Sequence, residues 1–402
     1  MEFKYYDTPT DYVNGNNNGS VTAQGQFIVN NFQLTDFVRH ALNLFQFNGY
    51  TPKIEEKIYC ISTVKLLLDN NLDLTDGYIN SEASIKGGFS FFLGMTITSL
   101  VAEKLHGTNV IHLKDSSLKI AYRLKNSKGK GKVYHPDFLG IRTNNSLSID
   151  GKCSNLALFE AKGRIDKLPQ KFPSHYMKQL KNVDINLVNQ EQGWVKNSRM
   201  DKYIIYSHLD NSSKTIKIYD IDPPSDDFKT ENNLTSIEID EGVAAFTYYY
   251  DWLYLLKNEG GYKRLVDVNG HVYFVISLNE YSVGLRKEIY EALQKYFHEF
   301  RKELEENGKI SERLSKELFK ATQWFWEKGE SFESIEKSSN TYQSNRKEEN
   351  SKDEEIPKRL EEVYGTDPRN HEEISIGLDG MICIHNSVID KFILREKIQE
   401  DS

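Results

Sequence analysis

Two carboxylates and one lysine stand near two predicted strands in the middle of the chain. Asp137 follows Pro136 at the start of the first strand. Glu160 comes 23 residues later, in a second and strongly apolar strand that also contains Lys162. Side chains two residues apart in a strand leave the same face, and the loop between the strands is long enough for them to pair. We therefore expect the three side chains to converge at one edge of a sheet.

Such a cluster predicts a particular chemistry. Two neighbouring carboxylates repel each other, and their burial without a partner is unfavourable, so a divalent cation between them would relieve the repulsion. Mg²⁺ or Mn²⁺ suits carboxylate oxygens, acidifies bound water and neutralises charge that builds up on a phosphate. A lysine beside the cation could orient the attacking water. The pattern thus predicts hydrolysis of phosphodiesters without a covalent intermediate on the protein.

The sequence Pro136-Asp137 followed by Glu160-Ala161-Lys162 resembles the PD-(D/E)xK motif of the restriction-endonuclease-like nucleases. Members of that superfamily are metal-dependent enzymes that cleave DNA. The resemblance covers roughly residues 80–225. It implies an α/β fold in which helices flank a central mixed sheet. It also implies that Asp137 and Glu160 bind the metal and that Lys162 is the catalytic lysine.

The same resemblance implies two further site residues. Family members often carry a glutamate on a helix before the sheet, and Glu103 matches that role as a third metal ligand, with Glu82 as the weaker match. They also often carry a glutamine on the helix after the lysine strand, which Gln179 fits. The QxxxY spacing of the RecB-like subgroup is not met, because Val183 stands at the tyrosine position.

Basic residues are concentrated around this motif, although the whole chain carries a net charge of −8. Two stretches rich in lysine and arginine, residues 104–134 and 162–181, hold one acidic residue each. A local positive field attracts a polyanion whatever the net charge of the protein. The predicted contacts to nucleic acid, with DNA favoured, are Arg164, Lys167, Lys130, Lys132 and His135.

Changes in composition along the chain predict five parts. These are an N-terminal arm with helices (1–79), the nuclease-like core (80–230), a mainly helical region (231–332), a disordered linker (333–356) and a tail with a small hairpin (357–402). The Asn- and Gly-rich residues 1–30 are predicted as loop. Within the core, the segment 178–190 is predicted as a helix.

Composition also excludes several classes of protein. Three scattered cysteines cannot form a disulfide framework, and neither a secretory signal nor a membrane-spanning run is recognised, so we expect a reduced, cytoplasmic protein. No Walker motif is found, so any motor would be a separate ATPase or helicase subunit. Extra regions around the core suggest a regulated effector of prokaryotic restriction or antiviral defence, by analogy only. Apolar stripes at helical spacing in residues 284–328 suggest core packing or contacts in a homo-oligomer.

Two alternatives to a nuclease remain at this point. The first is a non-catalytic nucleic-acid-binding or assembly subunit on the same fold, in which Glu160 and Lys162 form a surface ion pair. The second is a two-carboxylate hydrolase such as a glycosidase. The lysine and its basic surroundings suit a phosphate better than a sugar.

Overall fold

The architecture was taken from a computed structural model of the chain. It describes residues 1–6, 25–28, 32–44, 51–113, 121–126, 136–142, 154–165, 180, 183–189, 193–196, 200–222, 235–258, 263–326 and 373–394. The predicted linker 333–356 lies outside the described residues.

The helices and strands alternate irregularly along the chain. The helices are α1 (Leu34–Leu44), α2 (Ile54–Leu67), α3 (Asp76–Ile79), α4 (Ala83–Lys104), α5 (Glu241–Asn258), α6 (Lys287–Gln294), α7 (Phe297–Asn307) and α8 (Glu312–Trp326). The strands up to the middle of the chain are β1 (Glu2–Tyr6), β2 (Gly25–Ile28), β3 (Thr108–His112), β4 (Tyr122–Asn126), β5 (Phe138–Arg142), β6 (Leu156–Arg164), β7 (Val183–Asn189) and β8 (Gly193–Lys196). The later strands are β9 (Met200–Asp210), β10 (Thr215–Ile221), β11 (Thr235–Asp240), β12 (Lys263–Val268), β13 (His271–Leu278), β14 (Tyr281–Arg286), β15 (Ile374–Ile376) and β16 (Met381–His385).

A seven-stranded mixed sheet is the centre of the fold, in the order β2-β1-β10-β9-β6-β5-β3. Strands β6 and β9 run parallel, as do β1 and β10, and the other neighbours are antiparallel. Its inner strands carry continuous apolar runs, because both faces of the sheet are covered. The predicted α/β class with a mixed central sheet flanked by helices is thus confirmed.

Helix α4 approaches strand β6 closely because two glycines meet there. A Cβ atom built on Gly163 would lie 1.8 Å from the carbonyl oxygen of Ser90. One built on Gly94 would lie 2.8 Å from the Cα atom of Gly163. Any side chain at either position would therefore push the helix away from the strand.

This contact defines the two faces of β6. Side chains alternate along the strand, so Phe159 points to the same face as the α4 contact at Gly163. The ring of His106, which follows α4, packs 5.4 Å from that of Phe159 and confirms this assignment. Glu160 and Lys162 must then project from the opposite face of the sheet.

Two smaller sheets complete the described structure. One has four strands in the order β4-β11-β7-β8, and the other has five in the order β12-β13-β14-β16-β15. Strands β15 and β16 form a hairpin with a turn at Asp379-Gly380, and this hairpin extends the five-stranded sheet. A large core of buried apolar residues runs through most of the described helices and strands, and a second, smaller core lies on the five-stranded sheet.

Three segments differ from the structure expected from sequence. Within residues 1–30, predicted as loop, β1 and β2 belong to the central sheet. Where a helix was predicted over 178–190, the structure has strand β7, whose alternating Val183, Ile185 and Leu187 suit a strand. The region 231–332 contains β11 to β14 besides its helices.

Helix α4 is also long and apolar enough to cross a membrane, with a mean hydropathy of 1.4 over its best window. The sequence was expected to hold no such stretch. Within the described residues, 67% of that window is buried against the rest of the fold, as in the core helix of a globular protein.

Candidate active site

The ladder between β5 and β6 brings Asp137 and Glu160 together. Phe138 pairs with Phe159 in antiparallel register, so the next position along places Asp137 beside Glu160. The Oδ2 atom of Asp137 accepts a 2.9 Å hydrogen bond from the backbone N–H of Ala161. The backbone N–H of Asp137 also acts to lower the pKa of the Glu160 carboxylate. The two acidic residues are therefore neighbours on adjacent strands.

Lys162 completes the cluster from the same face of β6. Its Nζ atom donates a hydrogen bond to Oε1 of Glu160. The Glu160 side chain is fully buried, whereas 18% of the Lys162 side chain is exposed. The structure thus brings together Asp137, Glu160 and Lys162, which we call the carboxylate cluster, with its lysine on the solvent side.

The carboxylate cluster lies where β5 begins, beside the middle of β6, and not at a lateral edge of the sheet as the sequence suggested. Strand β3 pairs with the outer side of β5, and the backbone N–H of Leu113 bonds to the carbonyl oxygen of Asp137. Because β3 takes the edge position, the cluster is framed by strands on both sides.

The electrostatics of Glu160 are unusual for a glutamate. Burial raises its pKa well above the ordinary value, and the charge of Asp137 raises it further. Lys162 and the backbone N–H of Asp137 act in the opposite direction but do not offset these effects. Within the described structure, Oε2 of Glu160 is buried and has no hydrogen-bond partner. An oxygen in that position is unfavourable unless something binds it.

A divalent cation fits these residues. Asp137 and Glu160 supply carboxylate oxygens, one of them without a partner, and a cation would lower the free energy of both charges. No group of three or more His, Cys, Asp and Glu side chains forms a metal-binding set within the described ranges. Mg²⁺ commonly takes only one or two carboxylates and fills its other positions with water and substrate phosphate.

Glu103 does not join the carboxylate cluster in the described structure. It lies on α4, which covers the other face of β6, and its two carboxylate oxygens accept hydrogen bonds of 2.9 Å and 2.5 Å from the Arg39 guanidinium. Arg39 itself is completely buried. Glu103 and Glu160 therefore lie on opposite faces of the sheet. The charge of Glu103 is already paired with that of Arg39.

A serine, a histidine and a glutamate also meet beside α4, but they cannot act as a nucleophilic triad. Nδ1 of His40 lies 2.8 Å from Oγ of Ser99, and Nε2 lies 3.1 Å from an Arg39 nitrogen and 3.8 Å from Glu103. An arginine only donates, so Nε2 must accept and Nδ1 must carry the proton. His40 therefore donates to Ser99 and cannot take its proton, and burial lowers the pKa of His40, which keeps the ring neutral.

The remaining predicted site residues divide into two groups. Arg164 ends strand β6 and is exposed, two residues beyond Lys162. The others lie outside the described residues, namely Gln179, Lys167, Lys130, Lys132 and His135.

Sequence reasoning missed Lys202 as a neighbour of the carboxylate cluster. Lys202 lies on β9, which runs parallel to β6, and its Nζ atom donates a 2.8 Å hydrogen bond to the carbonyl oxygen of Leu180. The alternation of Lys202, Ile204 and Tyr206 places them on one face of a strand. Only the register with β6 shows that this is the face of Glu160.

Comparisons with protein-family models, with curated proteins and with solved structures find no match for this chain.

Proposed function

We propose that this protein is a metal-dependent nuclease that hydrolyses phosphodiester bonds, with DNA as the favoured substrate, on a restriction-endonuclease-like core. The observation that carries the proposal is the carboxylate cluster, in which Asp137 and Glu160 meet and a buried oxygen of Glu160 has no partner. Lys162 stands against the same carboxylate. A purely structural ion pair would not require the second acidic residue.

Each residue of the cluster has a distinct role in this proposal. Asp137 and Glu160 would hold Mg²⁺ or Mn²⁺, which when bound neutralises charge on the phosphate and acidifies water. The Asp137 carboxylate is oriented by the backbone N–H of Ala161, so its direction is set before substrate arrives. Lys162, which is partly exposed, can donate to the attacking water or to a phosphate oxygen.

Nucleic acid suits the surroundings of the site better than a small phosphoester. Arg164 is exposed at the end of the strand that carries Glu160 and Lys162. The two basic stretches of the sequence flank the same strands. Positive side chains near the site would bind the phosphate backbone and place one phosphodiester at the cluster.

Without a Walker motif, translocation along DNA would need a separate ATPase or helicase. A role in prokaryotic restriction or antiviral defence remains an analogy.

The direct test is cleavage of supercoiled plasmid, linear duplex and single-stranded DNA with Mg²⁺ or Mn²⁺. We expect nicking that is abolished when the metal is chelated. Asp137→Asn, Glu160→Gln and Lys162→Met should each reduce the rate of nicking by more than about 100-fold. The matched control is Asp76→Asn, because Asp76 is an exposed acidic residue whose partner is Lys214 on the surface. If all three site variants cleave like the control, this protein is not the proposed nuclease.

A second candidate function is supported by the direct contact between Lys162 and Glu160. That contact satisfies one carboxylate oxygen, as in a structural ion pair, and suits a non-catalytic subunit that binds nucleic acid. Such a protein would bind DNA with an affinity that falls steeply with salt, and would not cleave it with any divalent metal. The same preparation tests both functions when binding and cleavage are measured side by side.

A further inference from the structure

We propose that Lys202 is a positioning residue of the carboxylate cluster, because its ammonium group holds the Leu180 carbonyl over the face of the sheet that carries Glu160. The inference rests on the proposed function, since it assigns a supporting role to a residue outside the PD-(D/E)xK pattern. It also makes a prediction about metal binding that needs no nucleic acid.

The strand register places Lys202 next to the cluster. In the parallel ladder between β6 and β9, Leu158 pairs with Lys202 and Glu160 pairs with Ile204. Residues paired across neighbouring strands point to the same face, and Leu158 shares that face with Glu160. Lys202 therefore lies on the strand next to that of Glu160, two residues from Ile204, which pairs with Glu160. Its side chain points to the same face of the sheet as that of Glu160.

The hydrogen bond of Lys202 holds Leu180 above this face. Its Nζ atom donates to the carbonyl oxygen of Leu180 over 2.8 Å, and Leu180 is fully buried. A buried backbone carbonyl needs a hydrogen-bond donor, and the lysine ammonium supplies one.

Leu180 belongs to the connection between two parallel strands, β6 and β9. Such a connection has to return across one face of the sheet. The Lys202 bond shows that at Leu180 it crosses the face of Glu160, not the face covered by α4. In this proposal, Leu180 held at that position helps to keep bulk water from the buried Glu160 carboxylate. The low dielectric strengthens its attraction for a cation.

Asp184 on β7 is a charged neighbour of Lys202, and its carboxylate favours the protonated lysine. Burial acts against the charge more strongly and lowers the pKa of Lys202 to about 8. Above that pH the ammonium becomes an amine, its attraction to Asp184 is lost and its hydrogen bond to Leu180 weakens.

The test compares Lys202→Met and Lys202→Arg with wild type in two measurements on the full chain. Mn²⁺ binding is titrated without nucleic acid, and Mg²⁺-dependent plasmid cleavage is measured from pH 7 to pH 9.5. We expect Lys202→Met to weaken Mn²⁺ binding and cleavage by about tenfold or more, as the loss of a group that orients a ligand commonly does. Lys202→Arg should restore most of both, because an arginine can also donate to the carbonyl.

The pH profile separates a positioning role from a merely structural one. Cleavage by wild type should fall above about pH 8 relative to Lys202→Arg, whose charge persists at every pH tested. Lys217→Met is the matched control, because Lys217 is also a sheet lysine with one partner, Asp210, but lies on β10. It should leave Mn²⁺ binding unchanged.

Three outcomes decide the proposal. If folded Lys202→Met binds Mn²⁺ like wild type, the inference is wrong. If Lys202→Met does not fold, the ratio of Lys202→Arg to wild-type activity decides, and a ratio that is constant across pH overturns the inference. If wild type cleaves no substrate but Lys202→Met still weakens Mn²⁺ binding, the positioning role stands and the proposed nuclease function fails.

Discussion

Glu103 and Glu160 are both buried glutamates that a nuclease motif would assign to one metal site, yet their surroundings differ. Arg39 binds both oxygens of Glu103, and Glu160 has a lysine on one oxygen and no described partner on the other. A carboxylate whose two oxygens are both paired stabilises the fold. A carboxylate with one oxygen still unpaired can also bind a cation. Residue type and burial alone therefore do not identify a metal ligand, whereas a buried carboxylate oxygen without a hydrogen-bond partner does.

The surroundings of Glu103 join distant parts of the chain. Besides Glu103, Arg39 donates a 2.9 Å hydrogen bond to Ser375 on β15, and Ser375 donates to Asp36 over 2.6 Å. Tyr248 on α5 bonds to Asp379 in the hairpin turn over 2.5 Å. These contacts attach α1, α4 and α5 to the C-terminal hairpin. They form a structural network, since each charge in it has a specific partner.

The largest effect is expected for Glu103→Gln. This change removes the nearest carboxylate from the buried Arg39 guanidinium, and losing one partner of a buried ion pair costs about 3–5 kcal/mol. Urea unfolding followed by circular dichroism measures the change in the free energy of unfolding. The control is Glu317→Gln, which removes an exposed helix pair with Arg313 and should have little effect. A loss no larger than that of the control would show that Glu103 is not structural.

An intermediate effect is expected for Gly163→Ala. Its Cβ atom would lie 1.8 Å from the Ser90 carbonyl oxygen, so α4 would have to move away from β6. We expect a loss of about 1–3 kcal/mol in the free energy of unfolding, as in other overpacked sites.

The control for this change lies on the same helix. Gly87 has nothing within 4 Å of its Cβ position, so Gly87→Ala should stabilise α4 by about 0.5–1 kcal/mol. Thermal unfolding of the two variants should therefore shift in opposite directions. Equal shifts would contradict the close contact between Gly94 and Gly163.

The smallest effect, with the opposite sign to Glu103→Gln, is expected for Glu160→Gln. Without metal at pH 7, a neutral side chain removes the penalty of burying Glu160 next to Asp137, and the free energy of unfolding should rise by about 1 kcal/mol. Mg²⁺ should raise the unfolding midpoint of wild type and leave that of the variant unchanged.

The pH dependence of this variant follows from the raised pKa of Glu160. As the pH rises past the ordinary value of 4.5, the unfolded chain loses the proton while the folded chain retains it. Wild type therefore loses stability with rising pH until the folded-state pKa is passed, and Glu160→Gln lacks this contribution. If the free energies of unfolding of wild type and Glu160→Gln differ least at neutral pH and most below pH 4.5, folding does not raise the pKa of Glu160.

Part of the site could be predicted because its three residues lie close together in the sequence, at two consecutive strands. The alternation along residues 156–164 places Glu160 and Lys162 on one face, and the hairpin-like return of the chain places Asp137 beside them. Strand β7 was missed because a mixed polar sequence suits a helix or a strand, and pairing with β11 decided between them. The N-terminal strands were missed because β1 pairs with β10, more than 200 residues away, and β2 pairs in turn with β1.

The α/β class and the three side chains of the carboxylate cluster could be predicted from the amino-acid sequence, because alternation along a strand is a property of the backbone. The pairing of Glu103 with Arg39, 64 residues away, and the position of Lys202 on the face of Glu160 depend on tertiary packing. Those relations depend on which face of a sheet a helix covers and on the register of strands distant in sequence. Neither is set until the whole chain has packed.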